Sequence, residues 1–242
     1  MDYDLKFSLY NERSILIEWP SFIDENILKS ILSYKERLQK IYIKQKVEII
    51  NTYNSILIFY NFTIDNFNDE ILKLKSLKNR HLSNEIAKAK LWEIPVCYDD
   101  EFGIDLNEFS TRKKLTKREI IKLHSEAVYT VYFIGFLPGF LYLGGLNTKL
   151  YFNRKSTPSL NIKKGSVAIG GMQTGIYPQN SPGGWHIIGK TPIDLFDAKM
   201  NPPCFISAGD KVRFKPIDII EYSELEQKVQ SESFFLKPVQ DA

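Results

Sequence analysis

Between residues 133 and 189 the chain sets most of its 13 glycines among phenylalanine, tyrosine and tryptophan. The run opens Phe133-Ile134-Gly135-Phe136-Leu137-Pro138-Gly139-Phe140 and continues Leu141-Tyr142-Leu143-Gly144-Gly145-Leu146. A second cluster follows at 165–175 (GSVAIGGMQTG) and a third at 181–189 (SPGGWHIIG). Bare backbone lets a strand or a ligand approach closely and reaches positive φ, while proline fixes the neighbouring turns. Short apolar runs punctuated in this way predict a β-barrel or sandwich with shaped loops at one end. Tight turns alone would account for the glycines. They would not require Gln173-Thr174-Gly175, where an amide, a hydroxyl and open backbone offer donors and acceptors to a small polar ligand.

The rest of the chain sets the context. With 242 residues it holds one large or two medium domains. An apolar share of 43% and a charged share of 25% belong to an ordinary soluble globular protein. A net charge of +3 is too small to argue for nucleic acid or an anionic membrane as partner. The basic run Arg112-Lys113-Lys114 with Lys117-Arg118 reads as a solvated face. No stretch is long and apolar enough to span a bilayer, and the acidic N-terminus lacks the pattern of a signal peptide. A cytoplasmic location is expected. Cys97 and Cys204 have no metal spacing and need not pair.

Residues 1–88 predict a small α+β domain. Leu5–Leu9 alternates and Ile15-Leu16-Ile17 follows a turn, so a strand or hairpin begins the chain. Ser21 and Asp24 stand where caps would, ahead of Ile27, Leu28, Ile31, Leu32 and Leu38 at helical spacing. Strand-like runs at 47–50 and 56–59 follow. A second helix capped by Asn68 or Asp69 carries Ile71, Leu72, Leu74 and Leu77. With 91–96 as the last strand, the order β-α-β-β-α-β is the split βαβ, or ferredoxin-like, arrangement. The polar stretch 79–90 is the expected seam. A barrel domain over 89–220 follows, with a helix at 116–127 announced by the Thr116/Glu119 capping box, and then a polar tail over 221–242 that frays or forms one short helix.

Three chemical motifs compete for attention. Residues 184–191 (GWHIIGKT) satisfy the P-loop string to the letter. Their interior Trp, His, Ile and Ile favour a pleated strand over a phosphate cradle, and Pro192 pushes Thr191 away from helix. His81, His124 and His186 share no metal-like spacing, so no metal site is expected. His124 reads either as a packing histidine or as a base. Ser166 and Ser181 lie in glycine-rich turns outside any nucleophile elbow.

Taken in order, Ile94-Pro95-Val96, His124, Gly135-Phe136-x-Pro138-Gly139-Phe140-x-Tyr142, Gly165-Ser166-Val167, Gln173-Thr174-Gly175-Ile176-Tyr177-Pro178, Pro182-Gly183-Gly184-Trp185, Ile188-Gly189-x-Thr191-Pro192, Leu195-Phe196-Asp197 and Gly209-Asp210 resemble the KipI/PxpB family. That family comprises the B subunit of bacterial ATP-dependent 5-oxoprolinase, also called the allophanate hydrolase subunit one domain. The resemblance covers nearly the whole chain. It implies a cyclophilin-like β-barrel after the small α+β domain, and a subunit inactive alone. With the A and C subunits it would convert 5-oxoproline to glutamate, with ATP and Mg²⁺ engaged at the level of the complex and no tightly bound cofactor.

The resemblance also implies roles. Gln173, Thr174 and Tyr177 would touch the amide or its phosphorylated form. Phe136, the Pro138-Gly139 loop and Gly183-Gly184-Trp185, with Gly175, would shape the wall, and His124 would carry a proton because its titration range suits neutral pH. Related domains serve urea carboxylase and allophanate hydrolase systems, and the family also includes an inhibitor of a sporulation histidine kinase. A prolyl isomerase reading rests on fold analogy alone. The chain departs from the family at Pro158-Ser159, where Pro-Arg is usual, and at Ile162-Lys163, where Val-Pro is usual. Arg154 or Lys155 is the candidate to replace that arginine's charge. The apolar side chains Phe136, Leu137, Phe140, Tyr142 and Trp185 exceed what one barrel is expected to bury, which predicts a partner surface.

Overall fold

The computed structural model describes residues 3–43, 47–77 and 89–239. By its contacts the chain divides into units 1–88 and 89–242. The expected seam at 79–90 and His81 fall almost wholly outside the described residues.

In the first unit a hairpin of β1 (Lys6–Asn11) and β2 (Ser14–Glu18) leads into α1 (Glu25–Ile41). Strands β3 (Val47–Asn51) and β4 (Ser55–Tyr60) and helix α2 (Phe67–Leu77) complete it. Asp24 caps α1 by accepting from the N–H groups of Asn26 and Ile27, which satisfies donors that the first turn leaves free. Ile27, Ile31 and Leu38 recur at helical spacing and pack on Ile15, Ile17, Ile56 and Ile58 of the sheet. Asn66, rather than Asn68 or Asp69, accepts from the backbone at the start of α2. The sheet order is β1-β2-β4-β3, antiparallel throughout. Strands β2 and β3, joined through α1, therefore flank β4 as in a split βαβ unit. The observed element order is β-β-α-β-β-α. The run predicted as this unit's last strand lies elsewhere: Leu91–Cys97 is a barrel strand, and β1 holds the sheet edge beside β2.

The second unit is built on a closed seven-stranded barrel. Its elements are β5 (Leu91–Cys97), α3 (Leu106–Lys113), α4 (Lys117–Ser125), β6 (Val128–Ile134), β7 (Leu141–Gly144), β8 (Ser159–Ile162), β9 (Ser166–Gly170), β10 (Gln173–Ile176), β11 (Ser181–Gly183), β12 (His186–Lys190), β13 (Lys211–Ile217) and α5 (Ile219–Gln230). The barrel runs β10-β7-β6-β13-β5-β12-β9, and β9 pairs with β10 to close it. Closure leaves these strands no free edges.

The first and last barrel strands pair in parallel, from Leu91↔Lys211 to Cys97↔Ile217. Asp210 fixes that register from one end. Its carboxylate accepts from the Lys90 and Ser207 N–H groups and from Trp92 Nε1. Alternate residues point inward, and Trp92, Ile94, Val96, Val131, Leu143, Val167, Ile169, Ile176, Val212 and Phe214 form one buried core. The capping box of Thr116 and Glu119 opens α4 as expected. Helix α3 carries the similar spacing Asp105-x-x-Glu108, but Asp105 makes no side-chain capping bond; its carboxylate instead meets Lys155 and the Ile187 N–H. The tail begins with α5, which lays Tyr222 over Cys97 and Ile217 on the outside of the barrel. Among the described residues no helix is long and apolar enough to cross a membrane.

Candidate functional site

Strand β10 separates two environments, because neighbouring residues on a strand face opposite ways. Thr174 points inward and is fully buried. Its Oγ1 donates to the Ala168 carbonyl at 3.0 Å and lies 2.8 Å from Nε2 of His124. His124 is also fully buried, stacked on Phe214 at 4.5 Å, with Nδ1 2.7 Å from the Tyr98 hydroxyl. The Ala168 carbonyl only accepts, so the chain has one consistent direction: Tyr98 O–H donates to Nδ1, Nε2–H to Thr174, and Thr174 O–H to Ala168.

Burial lowers the His124 pKa to about 3, since the charged ring has no counter-charge in the core. This corrects the expectation of a proton carrier titrating near neutrality: the ring is neutral and both its nitrogens are occupied. It also corrects Thr174, whose hydroxyl faces the barrel interior and cannot touch a ligand on the outside.

On the outer face, Tyr142, Gly175, Ala168 and Ile187 stand side by side across four strands. Phe140 and Trp185 lie over this row and, with Tyr177 and Ile162, form a separate apolar cluster. The small residues make room for the indole. A Cβ on Gly170 would sit 2.5 Å from three Trp185 ring atoms, and one on Gly175 would sit 2.8 Å from the Leu141 carbonyl oxygen. Phe140 meets Tyr177 and Trp185 edge-on. The chain itself thus buries Phe140 and Trp185, correcting the expectation that both are left for a partner. Phe136 alone of the five is well exposed, at 64%, on a residue with φ of 68°. Pro138 is exposed beside it, while Gly139 (φ 84°) is buried against Phe196.

Gln173 opens β10 opposite Gly170, the position covered by Trp185. Its side-chain Nε2 is buried without a hydrogen-bond partner. Tyr177 is buried, which raises its hydroxyl to about 12. Its oxygen would lie 2.3 Å from a Cβ on Gly183, so that glycine is needed for the close approach. Of the predicted residues the fold brings Gln173, Gly175, Tyr177, Gly183, Gly184 and Trp185 to one outer face with Phe140. His124 and Thr174 belong to the interior.

A cleft of about 700 Å³ opens beside this cluster, lined by residues the motifs did not single out as a site. Its walls come from Glu108 and Arg112 of α3, residues 151–157, Gly171, Met172 and His186. Arg112 pairs with Glu108 at 3.1 Å and lies over Phe152, while Arg112, Lys114 and Arg118 are exposed as a solvated face requires. Lys155 holds Asp105 at 2.8 Å and lies 3.4 Å from Ser159, the residue standing where the family arginine is usual. The Arg154 guanidinium lies 5.5 Å over the Trp185 ring and, among the described residues, has no carboxylate partner.

His186 is only 2% exposed. Its Nε2 donates to the Asn153 carbonyl at 3.0 Å, and its buried Nδ1 has no partner. Burial lowers its pKa, against the opposing pull of that carbonyl. In the sequence alone this histidine stands out only as part of the P-loop string. The structure makes 186–190 a barrel strand, with Lys190 opposite Cys97 and Ser166 and no helix after it.

A closed barrel with an apolar-walled outer site and an adjoining basic cleft defines the class. Residues 5–206 match the carboxyltransferase domain, subdomain C and D, and the chain belongs to that family. The chain is 46% identical over 136 residues to the 5-oxoprolinase B subunit of Bacillus subtilis (strain 168), covering 56% of this chain and 57% of that protein. It is 42% identical over 179 residues to the 5-oxoprolinase B subunit of Haemophilus influenzae, covering 74% of this chain and 81% of that protein. The match to the Bacillus protein therefore spans less than two thirds of that protein's length. Urea amidolyase of Kluyveromyces lactis shares the fold at a TM-score of 0.81 and 18% identity, covering 99% of this chain and 16% of that one. The KipI/PxpB resemblance is thereby borne out.

Proposed function

We propose that this chain is the B subunit of an ATP-dependent 5-oxoprolinase and acts in the cytoplasm together with the A and C subunits. Identity of 42% to a protein of that name over 74% of the chain is the observation that carries the reading. Two free cysteines agree with a reducing compartment. We read the first unit as a ferredoxin-like variant with its edge supplied from the N-terminus, and the barrel as cyclophilin-like.

In this reading the outer face of β10 is this chain's share of the active site. Gln173 presents a buried, unpartnered amide N–H that suits a lactam oxygen. Tyr177, Gly183, Gly184, Trp185 and the Phe136–Gly139 loop shape the wall. A lactam is a poor electrophile, and phosphorylating its oxygen supplies a leaving group. The nucleotide and Mg²⁺ are engaged at the level of the complex, and the phosphate-loop string of this chain, spent in a barrel strand, is not their cradle. His124 acts through Thr174 by fixing the strand that carries Gln173; it is a positioning residue.

The test is reconstitution. The isolated chain should be inactive on 5-oxoproline, and mixing with the A and C subunits should give ATP-dependent glutamate formation. In that mixture Gln173→Ala should lower turnover at least about tenfold, as loss of a hydrogen bond made in the transition state does. Assembly should be unaffected. Full activity of the isolated chain, or unchanged turnover in the variant, would overturn the reading.

A further inference from the structure

The aromatic-walled face owes part of its shape to a segment with no strand of its own. Residues 153–158 form neither helix nor strand, yet this stretch places the Arg154 guanidinium 5.5 Å over the Trp185 ring. Burial raises the hydroxyl pKa values of Tyr142 and Tyr177, and the charge of Arg154 is among the influences that oppose it. Arg154 therefore stands within electrostatic reach of three residues of the face.

Three stitches fasten that segment to residues 184–187. The Asn153 carbonyl accepts from Nε2 of His186 at 3.0 Å. The Lys155 N–H donates to the Gly184 carbonyl at 2.7 Å. The Lys155 ammonium meets the carboxylate of Asp105 at 2.8 Å, and the same carboxylate accepts the Ile187 N–H at 2.7 Å. The first two bracket Arg154 in one segment and Trp185 in the other, so the stacked pair is held at both ends.

The third stitch comes from outside both segments. Strand β12 meets β5 only at Lys190↔Cys97, which leaves Ile187 without a strand neighbour on that side. Asp105 takes the place. Its own N–H donates to the Ile187 carbonyl at 3.0 Å while its carboxylate takes the Ile187 N–H. The Asp105 and Lys155 side chains are 11% and 20% exposed, so their pairing is less screened than a surface bridge. The Ile187 side chain in turn belongs to the cluster of Phe140 and Trp185.

We propose that Asp105 is a positioning residue for the aromatic face, holding Arg154 and Trp185 against each other through Lys155 and the Ile187 N–H. The geometry stands by itself; its consequence for turnover rests on the oxoprolinase reading. Gln173 lies on β10, outside both fastened segments. Loosening the wall should therefore weaken substrate binding and spare the chemical step.

A spectroscopic and a kinetic measurement on Asp105→Asn, Lys155→Met and the double variant test this. Asp105→Asn keeps an oxygen for the Ile187 N–H and removes the charge; Lys155→Met keeps the stem and removes the ammonium. In the full chain labelled with 5-fluorotryptophan, the three tryptophans give three fluorine signals, assigned with Trp185→Phe. The Trp185 signal should shift in each variant while those of Trp19 and Trp92 stay. In the complex with the A and C subunits, KM for 5-oxoproline should rise at least about tenfold with kcat within about threefold. The double variant should be no worse than either single one, since both break the same contact. Additive losses would overturn action through Lys155. A fall in kcat at unchanged KM, or movement of all three signals together, would overturn the positioning role. Wild-type turnover with the Trp185 signal and KM unmoved in the variants would sink this inference alone. A Trp185 shift without turnover of the wild-type complex would sink the oxoprolinase reading alone.

Discussion

His124 and His186 are both almost completely buried in the same unit, and burial lowers the pKa of each. They differ in what their nitrogens meet. His124 is closed into the chain from Tyr98 to Thr174 to Ala168, whereas His186 is bonded on one side only. A fully satisfied buried ring specifies a core. A half-satisfied one leaves the desolvation of its second nitrogen uncompensated. The pair differs in met hydrogen-bonding capacity and not in depth of burial.

The comparison breaks first on stability. His124→Ala should cost about 3–5 kcal/mol, because it opens a core cavity and strands the Tyr98 hydroxyl. His186→Phe should cost less, since it preserves a ring and removes the orphan Nδ1, against the loss of the one bond from Nε2 to the Asn153 carbonyl. Urea denaturation of both variants measures the contrast, and equal losses would erase the distinction.

The outer wall gives the next largest effect. Gly170→Ala drives a Cβ into the Trp185 ring, and about 1–3 kcal/mol of overpacking is expected. A shifted Trp185 fluorescence should accompany it.

A pH titration of stability sharpens the inner half. His124 has a folded pKa of about 3 against an ordinary value of 6.5. Between those values the unfolded chain binds the proton and the folded chain does not, so stability falls as pH falls through this window. The slope due to His124 approaches about 1.4 kcal/mol per pH unit. Carboxylates titrate mainly below pH 5, so the interval from about 6 to 5 is diagnostic. His124→Gln should reduce the slope in that interval, leaving the share due to His186, whose pKa burial also lowers; an unchanged slope would show that the His124 ring is not held neutral.

The smallest effect is expected at Lys190. It meets Glu226 at 3.8 Å and the rings of Phe102 and Tyr222. Lys190→Ala should cost less than about 1 kcal/mol and leave the ATPase of the assembled complex within a few-fold. A hundredfold loss, about 2.7 kcal/mol, would revive the phosphate-loop reading.

Much of the local structure was legible in the residues. Asp24 and the Thr116/Glu119 pair cap the helices they announce, because a cap acts over three residues and needs no distant partner. The strand character of 186–190 was legible for the same reason. The destination of 91–97 was not: a strand's sequence gives its pleat but not its neighbour, and pairing with Lys211–Ile217 lies far along the chain.

By itself, then, the sequence determined the repeated small residues at Gly170, Gly175 and Gly183, the aromatic groups that need them, and the caps. It also determined membership in the carboxyltransferase C and D family, through motifs read in order. Only the tertiary structure decided which side of β10 is inside. Adjacent residues on a strand always face opposite ways, but which face meets the core is set by closure of the barrel. That closure turned Thr174 and His124 inward, left Gln173 outside, and brought Arg112, Arg154 and His186 from separate elements to one cleft.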